Sequence, residues 1–206
     1  MMFARVALAC ATLYAVASPD MDAEVAKHLR AIHTPGGSET DMRDRQRAIA
    51  WLVANADRSF LPALAAAESA PHDAALIDLL ARYRRKEATP VFVRAFALGD
   101  PARRFAAAGL GMSPDPAARA ALVALLASKV AAEVEAALAG LEASGDAKEC
   151  PRIVEHLKSS SVEVRWRAVH AGAALGCLKK TELEAIARDD ADAVVRDAAK
   201  EALTHR

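Results

Sequence analysis

The chain has 206 residues, 53% of them hydrophobic and only 4% aromatic, with 27 basic and 27 acidic side chains and a formal charge of zero. A balanced charge argues against nucleic-acid binding, which draws on an excess of Lys and Arg meeting phosphates. No stretch of Val, Ile, Thr and aromatics alternates with period two, so a sheet is not expected. Alanine-rich runs such as Ala63-Leu64-Ala65-Ala66-Ala67 and Phe105-Ala106-Ala107-Ala108 point to helices throughout.

Residues 1–17 carry the pattern of an export signal. Arg5 precedes an apolar run from Val6 to Ala17, Ala15-Val16-Ala17 supplies the small-x-small cleavage site, and Ser18-Pro19-Asp20 opens a polar mature end. The run of twelve residues is too short to span a bilayer as a helix. The alternative, an amphipathic helix closing one end of the fold, lacks the polar face it needs. Ala7-Leu8-Ala9-Cys10 is a poor lipid-attachment site, because leucine stands one position from its usual place. Export implies a periplasmic or secreted protein of residues 18–206; without a working leader it is cytoplasmic. Cleavage leaves 27 − 1 = 26 basic against 27 acidic side chains, a charge of −1, and two cysteines, Cys150 and Cys177.

Turn residues then divide the chain into paired helices. The pairs are 22–33 with 40–55, 60–69 with 72–86, 89–98 with 101–111, 116–128 with 130–143, 148–158 with 162–175, and 180–188 with 192–204. Thr34-Pro35-Gly36-Gly37-Ser38 is the longest breaker cluster. Asp100-Pro101 places proline where a first helical turn tolerates its missing N–H, and Ser113-Pro114-Asp115-Pro116 stops one helix and caps the next. Gly145 and Gly176 stand where helices must end.

These pairs echo one another. Arg45, Leu76, Arg104, Glu135, Arg165 and Arg196 follow at spacings of 31, 28, 31, 30 and 31, and three residues after each comes Ala48, Leu79, Ala107, Leu138, Ala168 or Ala199. On the first helices Pro62, Pro90, Ala120, Pro151 and Glu182 keep a matching register. Two residues after them stand Leu64, Phe92, Leu122, Ile153 and Glu184, the last departing from the apolar pattern as a terminal unit should. Such a period predicts an all-α solenoid, a right-handed superhelix of about six stacked antiparallel hairpins.

The pattern resembles the HEAT-repeat family, in its short, lyase-type form of about thirty residues. Pro151, Ile153, Val154 and Leu157 on one helix and Val164, Arg165 and Ala168 on the next carry the resemblance; Val194, Arg196 and Ala199 repeat the second set. In that family the arginine often pairs with an aspartate six residues upstream. Asp190 fits ahead of Arg196, whereas Ser159 stands ahead of Arg165 and Leu98 ahead of Arg104.

Chemistry-bearing motifs are sparse. The histidines His28, His33, His72, His156, His170 and His205 form no His-Glu dipeptide and no HExxH, and no Cys-x-x-Cys occurs, so neither a metal nor another cofactor is expected. There is no Gly-x-Ser-x-Gly elbow and no phosphate loop; Gly109-Leu110-Gly111 reads as a helix end in tight contact, and Ser159-Ser160-Ser161 as an N-cap cluster. Cys150 and Cys177 fall at adjacent ends of one antiparallel hairpin. They are expected to be bridged, the alternative being two separate buried thiols.

Two surfaces stand out. Arg82, Arg84, Arg85, Lys86, Arg103 and Arg104 fall at helix ends and turns. They read either as a basic patch for an acidic partner or as a solvated rim with internal pairing. The second helices should line the inner face. There Arg43, Arg47, Glu163, Trp166, Arg167 and His170 are candidate protein-binding residues, with small residues between (Ala102, Ala106, Gly109, Ala137, Gly140) forming a shallow groove. An exposed Trp166 is a binding anchor; a covered one fills a contact between hairpins.

The sequence therefore favours a non-catalytic, monomeric scaffold of the cell envelope that binds another protein, with no nucleic acid and no transmembrane segment in the mature chain. Two competitors follow from the resemblance: a nucleic-acid-binding array similar to HEAT-like alkylpurine DNA glycosylases, and an enzyme similar to HEAT-like bilin lyases. The first needs a broad basic face, the second a chromophore pocket.

Overall fold

Short polar side chains start half of the helices among the described residues. In the computed structural model, which describes residues 22–33 and 38–205, Asp22, Ser38, Asp73, Asp115, Ser161 and Asp192 each accept a hydrogen bond from a backbone N–H of the turn they precede. The helices so begun, and those between, are α1 Ala23–Ala31, α2 Glu39–Ala54, α3 Ala56–Ser69, α4 Ala74–Tyr83, α5 Thr89–Leu98, α6 Ala102–Met112, α7 Pro116–Leu125, α8 Ala131–Ser144, α9 Cys150–Glu155, α10 Val162–Ala174, α11 Lys180–Asp189 and α12 Ala193–Thr204. No strand occurs among the described residues, and the protein is all-α. The leader at 1–17 and the breaker residues 34–37 lie outside the described residues. No helix of the described residues is long and apolar enough to cross a membrane.

The chain divides into two compact units, Met1–Gly109 and Leu110–Arg206. In the first, α1 pairs with α2 and α3 with α4. The first helices α1, α3 and α5 also touch in sequence, as do the second helices α2 and α4. In the second unit α7 pairs with α8, α9 with α10 and α11 with α12, while α8, α10 and α12 touch one after another. Within each unit the helices thus contact neighbours near in sequence, the pattern expected when no single hairpin buries its own apolar stripe. The residues chosen by the repeat register are all in the core: Ala48, Leu79, Ala107, Leu138, Ala168 and Ala199 are each at most 2% exposed.

Several boundaries differ from expectation. Helix α3 begins at Ala56, not 60, so only Asn55 separates it from α2 and Pro62 falls inside it. Ser59 braces this abrupt corner. Fully buried, its hydroxyl lies 2.6 Å from the Leu52 carbonyl and 3.0 Å from that of Asn55, adding a side-chain donor to acceptors that already receive backbone N–H groups. Tyr83 Oη, 2.8 Å away, donates to Ser59 Oγ, since the single serine proton is already directed at a carbonyl. Helix α4 ends earlier than expected, at Tyr83, where Arg84 takes a left-handed conformation at φ 52°. The ninth helix is broken into a 3-10 turn (Ala147–Glu149), α9, and a second 3-10 turn (His156–Lys158).

The small residues of the second helices do not floor a groove. Ala102, Ala106 and Ala137 are buried, with at most 1% exposure, because they sit where helices press together. At Gly111 an added Cβ would lie 1.9 Å from the Gly140 carbonyl oxygen, so the end of α6 and the middle of α8 meet backbone to backbone. Gly109 similarly seats the Phe92 ring of α5.

Candidate functional site

The Arg43–Arg47 region borders a real concavity. Along α2, Arg43, Arg47, Ala50 and Ala54 recur at three- and four-residue steps and share a stripe. Beside it Gln46, Ile49, Ala50, Val53 and Ala54 of α2, with Arg82 of α4, line a groove of about 590 Å³. Its floor is aliphatic. Arg43 pairs with Glu39, and Arg47 with Asp44 at 3.3 Å, each within its own helix and largely exposed. Sequence reading named Arg43 and Arg47 on this helix but not Ile49 or Val53. The signal was present: Ile49 to Ala54 is apolar on every side, more than one face of a surface helix can bury.

The basic residues resolve into paired and unpaired members. Arg82 bonds Asp78 at 3.2 Å and Arg85 lies 3.5 Å from Asp57. Arg103 Nε donates to the Phe96 carbonyl at 3.4 Å and its guanidinium covers the Phe96 ring, while Arg104 lies 4.0 Å from Asp100. Arg84 and Lys86 are exposed and face no ion-pair partner among the described residues. Four of the six are therefore held by internal contacts, and the two open cations lie just beyond the C-terminal end of α4.

In the second unit Glu163, Trp166, Arg167 and His170 come together on α10, though not as an open anchor. Trp166 is half-buried against the core of Val169, Leu178, Leu183, Val195, Ala198 and Ala199, so its indole fills the contact between the last two hairpins. The His170 ring meets it edge-on at 4.5 Å, and the Arg167 guanidinium stacks over it at 4.6 Å. Arg167 also reaches α8, donating from Nε to Glu135 at 2.8 Å and lying 3.6 Å from Glu142. Arg167 is a clasp between α8 and α10. Glu163 is exposed and accepts from the Ser161 hydroxyl at 2.7 Å, which holds its carboxyl below the usual range.

Cys150 and Cys177 form a disulfide, with Cα atoms 5.1 Å apart, joining the start of α9 to the turn after α10. The fifth hairpin is thereby closed covalently at its open end. Another pair of distant residues was not foreseen. His33, just past α1, places Nε2 2.7 Å from Asp73 Oδ2 and Nδ1 2.9 Å from the Leu29 carbonyl. Among the described residues no three His, Cys, Asp or Glu side chains are grouped to hold a metal ion.

The Asp–Arg pairing also differs from the one that the sequence resemblance implies. Asp190 gives its carboxylate to Arg165 of the preceding hairpin, at 3.0 and 3.1 Å, and this pairing holds the Asp190 carboxyl below the usual range. Arg196 bonds instead to the backbone carbonyls of Asp190 and Ala191, at 2.8 and 3.1 Å.

These features define a class, an all-α protein whose helices pair into successive hairpins and whose open surfaces are grooves and charged helix faces. No protein-family model matches the chain, and no curated protein matches it in sequence.

Proposed function

We propose that this chain is a non-catalytic protein-binding scaffold, a continuous α-solenoid of HEAT-like hairpins that is exported through residues 1–17 and works in the cell envelope. The supporting observation is the repeat register: the six positions from Ala48 to Ala199, about thirty residues apart, are all buried. Arrays of this kind expose long helix faces to other proteins, and the aliphatic groove beside Arg82 is a surface of that type. The disulfide fits an oxidising compartment. The mature scaffold is a monomer.

Mass spectrometry of the protein recovered from its native host, after cross-linking, tests the reading. A mature chain starting near Ser18, carrying the disulfide and linked reproducibly to one other protein, is the expected result. A chain that keeps its leader, or that is linked to nucleic acid or to nothing, overturns it.

A further inference from the structure

We infer that the groove between α2 and α4 receives an amphipathic helix of a partner protein, aliphatic along one side and acidic at its flanks. This deepens the scaffold reading and rests on it. The groove supplies the two elements such a helix needs. Ile49, Ala50, Val53 and Ala54 form an aliphatic floor, and a volume of about 590 Å³ is within the range that holds a ligand's side chains. Water-exposed apolar surface of this kind is stabilised by a complementary apolar face.

Charge selects the occupant. Arg82 lines the groove, and the chain beyond it adds Arg84, Arg85 and Lys86 at the same end of α4. Only Arg82 and Arg85 have carboxylates within ion-pair distance, leaving Arg84 and Lys86 available among the described residues. The nearby Arg43 and Arg47 pairs are exposed contacts within one helix, of the weak kind that a partner carboxylate displaces at little cost. No acidic residue lies on the α2 segment 46–54. A basic helix would meet like charge there.

The test is fluorescence anisotropy of the full chain with a fluorescein-labelled peptide of about four helical turns, leucines on one face and glutamates at its flanks. A version with lysines for the glutamates and a version with glutamines for the leucines are the comparisons. The glutamate peptide is expected to bind about tenfold more tightly than either. Ala50→Glu and Gln46→Glu, both at exposed positions, should each weaken it several-fold while leaving thermal unfolding unchanged. Val130→Glu, an exposed residue of the other unit, should not. Arg84→Glu combined with Lys86→Glu should erase the preference for glutamate over lysine. Equal affinity for the charge variants, or binding that survives loss of the leucines, overturns the proposal. So does a short DNA duplex that binds more tightly than the glutamate peptide, which makes the basic end a phosphate site. Sedimentation showing a dimer abolished by Ala50→Glu gives the groove to a second copy and overturns it too. Peptide failure alongside a cross-linked partner elsewhere on the chain sinks the groove and spares the scaffold; absence of any partner in the host sinks the scaffold.

Discussion

The bond between His33 and Asp73 makes the first unit's stability depend on pH in a defined direction. Both ring nitrogens face acceptors that carry no proton to give, a carboxylate oxygen at 2.7 Å and a backbone carbonyl at 2.9 Å. Only the protonated ring can donate from both nitrogens, so these partners favour the imidazolium. The Asp73 hydrogen bond raises the His33 pKa above its ordinary 6.5, against burial and the charge of Arg45. Burial pushes the Asp73 carboxyl up, but the His33 hydrogen bond and charge and the N–H groups of Leu76 and Ala75 together hold it below 3.8. His33 stabilisation is thus complete below about 6.5 and is lost as pH rises through the higher folded value; that of Asp73 is present above 3.8 and lost as pH falls through the lower one.

The side chains are 21% and 16% exposed, so solvent screens the pair only partly. A charge-assisted bond in such a setting stabilises by about 1.5 kcal/mol. The assay is a double-mutant cycle of His33→Gln and Asp73→Asn, with asparagine retaining the cap of α4. Urea unfolding is followed through Trp51 of α2 in a Trp166→Phe background. At about pH 5 the coupling energy should be near 1.5 kcal/mol, and at about pH 9 it should fall by more than half. A coupling that is absent at pH 5, or the same at both, refutes the charged-ring assignment.

Other consequences can be measured directly. Reducing the disulfide, which closes a sequence separation of 27 residues, should lower stability by about 3.5 kcal/mol on the chain-entropy model, read as a lower melting temperature with reductant; two titratable thiols in the unreduced mature protein contradict the bridge. Gly111→Ala forces a methyl to 1.9 Å from the Gly140 oxygen, and should cost about 3 kcal/mol in denaturant unfolding followed by circular dichroism. Tyr83→Phe removes one donor and should cost about 1 kcal/mol, whereas Ser59→Ala strands the buried tyrosine hydroxyl and loses the serine's own bonds to the Leu52 and Asn55 carbonyls, which keep their backbone donors, costing about 2 kcal/mol; the order of the two melting temperatures checks it. Asp190→Asn weakens the link from Arg165 by about 1 kcal/mol but keeps the backbone bonds of Arg196, so hydrogen exchange should quicken in α10 more than in α12.

The helix pairs and the buried register were legible because both follow from local rules. Asp115 and Ser161 cap where short polar side chains cap, Gly145 turns at φ 67°, and Ala168 and Ala199 are small where second helices press on neighbours. What stayed hidden depends on residues far apart in sequence. Nothing near His33 announces Asp73 forty residues on, and nothing near Ser59 announces Tyr83. The corner at Asn55 is hidden for the same reason: Pro62 reads as a helix start until Ser59 is seen to tie an earlier one to the Leu52 carbonyl and to Tyr83. The groove was only partly legible in the sequence. Arg43 and Arg47 lie beside the groove, while Trp166 and Arg167 are committed to contacts within their own unit.

The arginines of the repeat explain how a motif can look incomplete in sequence and still be made. Arg165 donates from Nη1 to the carbonyls of Ser159 and Ser160, and Arg196 does the same to Asp190 and Ala191, six and five residues upstream in each case. The acceptors are backbone, so the side chain six residues back is free to be serine or aspartate without loss of the bond. That freedom leaves the Asp190 carboxylate able to reach across to Arg165 and tie one hairpin to the one before. At the equivalent place in α8 the chain puts Glu135, and the link is kept with its polarity reversed, the carboxylate receiving Arg167 from α10. In this unit the repeat therefore preserves the tie from each hairpin to its neighbour, made between second helices by Arg167 and Glu135 and from α10 to the turn before α12 by Arg165 and Asp190, more faithfully than it preserves the residue that makes it.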